Sequence, residues 1–266
     1  MKHPLHYDIR PTSLRAHRWA VTLTIARPQA RQRVALPVWI PGSYLVREFA
    51  RHVSGLKARQ GDAECPAQAV DKCTWEVQAA PDQPLVIRYE VHAFDDSVRA
   101  AWLDAARGFF NATALLARVP ELADGPHAIT LHRPTDAATA RWRVATALAA
   151  QQVDANGFGD YLAASYDELA DSPVEMGDFW QGEFSVRGVP HRFVVAGAPP
   201  SFDGPRLLRD AQKICEAAAH LWHGASGQPP QPHYLFMLNA TPGGYGGLEH
   251  RCCTALIGSR RPALSP

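Results

Sequence analysis

Trp19, Val21, Leu23 and Ile25 alternate with Thr22 and Thr24, and a period of two marks a strand with one buried face. Similar short runs recur over residues 33–40, 74–77, 85–91, 127–132 and 142–148. Turn residues separate several of them: Pro41-Gly42, Gln60-Gly61-Asp62 and Asp71-Lys72. Short strands at this spacing predict an antiparallel β-sandwich over about residues 1–170.

The pattern changes near Asp160. Residues 161–169 predict one short helix, stopped at Asp171-Ser172-Pro173 because the residue before a proline avoids the helical region. Strands over residues 179–186 and 191–195 flank Arg187-Gly188-Val189-Pro190. Residues 206–223 predict the clearest helix, with an apolar stripe of Leu207, Leu208, Ala211, Ile214, Cys215, Ala218 and Trp222. Asp203 stands near its start and Gly224 just past its end, where caps belong. A strand over residues 233–238 follows, and then a glycine-rich stretch from Pro242 to His250. The order implies a β-rich domain over 1–170 and the α+β opening of a second domain over 171–266.

Composition narrows the partners. Lys plus Arg number 27 and Asp plus Glu 26, leaving a net charge of +1. That gives no basic footprint for nucleic acid and no charge run for a membrane surface. The first ten residues lack the apolar core of a secretory signal, and no run approaches the ~20 apolar residues that span a bilayer. The five cysteines, Cys65, Cys73, Cys215, Cys252 and Cys253, are scattered. The expectation is a soluble cytoplasmic protein with reduced thiols.

The glycine-rich stretch carries the chemistry. Gly246 and Gly247 let another backbone come close, because no side chain intervenes. An exposed edge strand can pair with an extended peptide through main-chain hydrogen bonds. Glu249, at the end of that strand, can hold a peptide ammonium by a charge-assisted bond. A glycine turn followed by a solvated acid has the same local sequence. Glu216, His220 and His223 fall roughly on one helix face, a spacing that suits either a metal clamp or a solvated helix end. Arg47-Glu48 with Arg51, and Asp95-Asp96 with Arg99, read as loop ion pairs. Cys252-Cys253 reads as a buried pair of small residues.

Four segments identify a family. They are VWIPGSYLVREFAR (38–51), YEVHAFDDSVRAAWLDAARGFF (89–110), DSPVEMG (171–177) and YGGLEHR (245–251). In this order they resemble the glycyl-aminopeptidase family of zinc metallopeptidases, and the likeness runs from about Tyr7 to Ile257. The resemblance implies an N-terminal β-domain, a thermolysin-like catalytic domain of the gluzincin type, and often a C-terminal PDZ domain. It implies an enzyme that removes N-terminal glycine or alanine from peptides. Glu249 would bind the substrate amine, and Gly246, Gly247 and Leu248 would line the peptide backbone. His250 stands where related aminopeptidases carry Asn, and Glu175 is implied to lie near the substrate cleft. The family holds zinc with an HExxH helix and a later Glu. The chain has twelve His and no HExxH, so the zinc ligands and general base are expected in a C-terminal region that this chain lacks. The chain alone is expected to bind no metal and to be inactive. The other reading is a non-catalytic module that captures peptide N-termini through residues 246–249.

Overall fold

The computed structural model describes residues 3–260. Residues 261–266, the last of the expected second domain, lie outside the described residues. The first region contains an eight-stranded sheet with the order Ala149–Val153, Gly159–Ala163, His127–Leu131, Leu5–Ser13, Arg18–Ile25, Leu85–His92, Val53–Gln60, Ala63–Cys65. The alternation read from the sequence sets its inner face. Trp19, Val21, Leu23 and Ile25 are buried and pair with Val91, Tyr89, Ile87 and Leu85 across the next strand. Burying one such side chain contributes about 1.5–3 kcal/mol, so this ladder also fixes the register. The expected all-antiparallel pairing needs one correction: Leu5–Ser13 runs parallel to His127–Leu131. That pairing requires the long crossover between them.

A second, four-stranded sheet has the order Arg143–Thr146, Val174–Gly177, Arg107–Phe110, Ala101–Leu103. It packs on the first through Trp19. The Trp19 ring lies edge-on to Phe110 at 5.4 Å, and a Cβ at Gly108 would stand 3.1 Å from it. Ala101–Leu103 supplies the edge strand of this sheet. A three-stranded sheet, Arg31–Ala35, Thr74–Gln78 and Ala67–Ala69, completes the region.

Residues 161–169 do not form one helix. Gly159–Ala163 is a strand, and the helix is Tyr166–Ala170. Pairing with His127–Leu131 overrides the helical local preference of residues 161–163. The helix then starts on a variant of the capping box, in which Glu168 reaches back to the residue before the N-cap Ser165. Ser165 Oγ accepts from Glu168 N at 3.2 Å, and Glu168 Oε2 accepts from Ala164 N at 2.6 Å.

The second region is a mixed five-stranded sheet with the order Trp180–Val186, Val189–Ala196, Tyr234–Thr241, Cys253–Ser259, Gly246–Glu249. The long helix Gly204–His223 is the crossover between the parallel strands Val189–Ala196 and Tyr234–Thr241. Asp203 caps it by accepting from Arg206 N at 2.9 Å. Only part of the expected apolar stripe is covered. Leu207, Leu208 and Ala211 pack against Phe193 and Val195, while Ile214 and Trp222 are 69% and 77% exposed. The other face of the sheet, with Val194, Leu235, Met237 and Cys253, packs on Ala145, Ala147 and Phe179. That apolar seam joins the two regions. No helix of the described residues is long and apolar enough to cross a membrane.

Candidate functional site

The edge strand Gly246–Glu249 is where the four signature segments meet. Gly42, in the first segment, has φ 84° and lies so close that a Cβ there would stand 2.6 Å from Leu248 Cδ1. Arg99, in the second, donates from Nη2 to Gly247 O at 3.1 Å. Asp171, in the third, accepts from Arg251 N at 3.1 Å and bonds His250 Nδ1 at 3.1 Å. Residues far apart in sequence thus converge on one four-residue strand and the turn that follows it.

The strand leaves one edge open. His250 N donates to Cys253 O at 2.9 Å, and Leu248 pairs with Ala255 and Gly246 with Ile257. Antiparallel partners alternate between bonded and non-bonded positions. The N–H and C=O groups of Gly247 and Glu249 therefore point away from Cys253–Ser259, toward the open edge. The Arg99 bond to Gly247 O lies on that side. Side chains alternate as well. Leu248 is fully buried in the main core, while Glu249 is exposed on the opposite face, 3.8 Å from where a Gly247 Cβ would lie. The result is two outward main-chain positions beside an accessible carboxylate.

His250 and Asp171 hold the turn that follows. The His250 side chain is 3% exposed, and Arg251 Nε approaches Asp171 Oδ2 at 3.6 Å. His250 Nε2 is buried with no hydrogen-bond partner among the described residues. Asp171→Ala should strip partners from His250 and Arg251 N together, costing about 1–3 kcal/mol, chiefly for the buried His250 ring left unsatisfied. Thermal melts check this. An unchanged midpoint would mean that the turn is held by its own strand pairing.

Glu175, the expected cleft residue, is paired with an arginine. It is buried on Val174–Gly177 and takes both ends of its carboxylate to Arg107, with Nε to Oε1 and Nη2 to Oε2 each at 2.8 Å. Its cross-strand neighbour Ala145 packs in the seam between the two regions. Burial pushes the Glu175 carboxyl above the usual range, and Arg107 opposes that push. Other readings also shift. Glu48 pairs with Lys72 at 3.2 Å rather than with a neighbouring arginine. Arg99 bonds the edge strand rather than Asp95 or Asp96. Cys253 is buried, and burial raises its thiol well above the usual value, with Cys252 raised for the same reason. Neither is poised as a thiolate.

No group of three or more His, Cys, Asp or Glu is placed to hold a metal among the described residues. Glu216 stands 3.8 Å from Arg187. The described residues do not fit a zinc site. Sequence reasoning had missed Arg99 and Asp171 as members of the site. Both stand inside the signature segments, yet neither belongs to a spacing pattern that signals chemistry.

The likeness to known proteins places the chain as the N-terminal portion of a metallopeptidase. Residues 6–178 match the Peptidase M61 N-terminal domain. The match covers more than half of the chain, and the chain belongs to this family. It is similar over 98% of its length to an aminopeptidase N family protein from Idiomarina loihiensis, at 36% identity and a TM-score of 0.91. It covers 44% of that protein, so it spans less than half of that relative's length. It shares its fold with an M1 zinc metallopeptidase from Deinococcus radiodurans, at 15% identity and a TM-score of 0.52, covering 98% of this chain and 62% of that one. A variant of the Deinococcus enzyme bound to a Tyr-Ser-Ala substrate matches at 14% identity and a TM-score of 0.52, over 94% and 60% of the two chains. No curated protein matches the chain.

Proposed function

We propose that this chain is the N-terminal part of a zinc aminopeptidase that releases N-terminal glycine or alanine from peptides. The observation that carries the reading is the convergence of Gly42 and Arg99 on an edge strand, and of Asp171 on the turn after it, where the strand's outward groups sit beside Glu249. In this reading Glu249 takes the peptide ammonium, and the outward main-chain groups of Gly247 and Glu249 form the backbone track, which Gly246 and Leu248 support through their pairing with the neighbouring strand. His250, locked to Asp171, sets the end of that track. Glu175 acts through Arg107, stiffening the sheet beside the seam between the regions. The thermolysin-like remainder, zinc ligands and general base belong to the rest of the peptidase, with or without a PDZ domain. When bound there, the metal would activate water for peptide hydrolysis. A cytoplasmic setting is part of the same proposal.

Glycylglycine titrated calorimetrically into the 266-residue chain should bind, and N-acetylation of the peptide should remove the heat. Glu249→Ala should weaken binding roughly 10–100-fold, since a charge-assisted hydrogen bond contributes about 1.5–3 kcal/mol. Equal binding by Glu249→Ala, or by the acetylated peptide, would refute the assignment. The pure chain should release no aniline from glycine anilide, with or without added zinc. Measurable release would show that the 266-residue chain suffices for catalysis.

A further inference from the structure

Arg99 has no role in the resemblance, and its surroundings suit a second charged anchor. Its loop is fixed from behind. Asn111, fully buried, donates from Nδ2 to Val98 O at 2.9 Å and to Ala100 O at 3.2 Å. The residues on both sides of Arg99 are themselves buried. The backbone that carries the guanidinium is therefore held rigidly, as a recognition group requires.

The guanidinium is under-used. Of its five N–H donors, one goes to Gly247 O. No carboxylate pairs with it among the described residues, whereas Arg31, Arg33 and Arg107 each hold an acid. A half-buried cation with spare donors and no counter-ion, facing an open strand edge, is matched by an anionic group on whatever occupies that edge. Arginine takes a carboxylate in a two-point fork, which fixes its orientation as well as its charge.

The spacing selects the occupant. Arg99 marks the edge at Gly247, and Glu249 stands two residues further along. Two residues of strand span about 6.6 Å, and two extended residues of a peptide span at most about 7 Å. We propose that Arg99 binds the terminal carboxylate of a short peptide whose ammonium sits on Glu249, so that the edge selects dipeptides with both ends free. This rests on the reading of Glu249 as the ammonium anchor. A longer peptide would have to run past Arg99 and compete with it for Gly247 O.

Calorimetry on the 266-residue chain tests this with glycylglycine and glycylglycine amide, which differ only at the carboxyl end. The wild-type chain should bind the amide about tenfold more weakly, the scale of one charge-assisted contact. Arg99→Gln should bind both ligands with the weaker affinity, and Arg99→Lys, which keeps the charge without the fork, should fall between. Equal affinities on the wild-type chain would overturn the proposal without any variant. So would discrimination that survives in Arg99→Gln. Binding that depends on Glu249 but ignores the carboxylate would remove this inference and leave the proposed function standing. Absence of binding by either peptide would remove both.

Discussion

Arg107→Ala is expected to destabilise the protein by about 3–5 kcal/mol, the cost of stranding a buried carboxylate without its partner. The pair is tight. Three contacts of 2.8–3.1 Å join the two side chains, which are 12% and 3% exposed. Burial already raises the Glu175 carboxyl, with Asp104 adding to the rise, and the charge and hydrogen bonds of Arg107 only partly offset it. Without Arg107 the value climbs further.

The sign of the pH dependence follows. A carboxyl raised in the folded state contributes most to stability below its unfolded value and loses that contribution as pH rises through the folded value. The cost of Arg107→Ala should therefore be smallest near pH 4 and grow toward pH 7. Urea denaturation at both pH values measures it. Adding Glu175→Gln should recover part of the loss at pH 7 and little at pH 4. A cost that is flat with pH would show that Arg107 acts through packing over Phe109, which its guanidinium faces at 4.8 Å, and not through charge.

Local pattern carried much of the scaffold. The Trp19–Ile25 alternation placed its strand and its buried face, because a period of two leaves little choice of side. Asp203 marked the start of the long helix. Gly246-Gly247 with Glu249 marked the edge strand, because the residue types themselves suit backbone approach and ammonium binding. The rest depends on contacts that no window can hold. Arg99 reaches Gly247 across 148 residues, and Asp171 reaches Arg251 across 80. Residues 161–163 form a strand only because His127–Leu131 lies beside them. Ile214 and Trp222 fit the helical stripe, yet Leu207, Leu208 and Ala211, nearer the start of the helix, make the packing against Phe193 and Val195.

Gly42→Ala is the second large effect expected, and it connects the first signature segment to the edge strand. Two separate penalties act at this position. The backbone has φ 84°, which costs a residue with a Cβ about 1–3 kcal/mol. The new Cβ would also fall 2.6 Å from Leu248 Cδ1. Leu248 is fully buried in the core, so its tip can yield only by overpacking its neighbours, for a further 1–3 kcal/mol. Gly55 separates the two penalties, because its φ is 64° and a Cβ there would meet nothing within 4 Å. Gly55→Ala should carry the backbone penalty alone and leave peptide affinity unchanged. Gly42→Ala should cost roughly twice as much and should also weaken glycylglycine binding, since Leu248 lies between Gly247 and Glu249 and any shift in it moves both. Trimming the obstruction with Leu248→Ala in the Gly42→Ala chain should cost less than the two single changes added together. If Gly42→Ala and Gly55→Ala match in both stability and affinity, the first segment does not support the edge strand. If only Gly42→Ala loses affinity, the loop that precedes Tyr44 is part of what holds the site in shape.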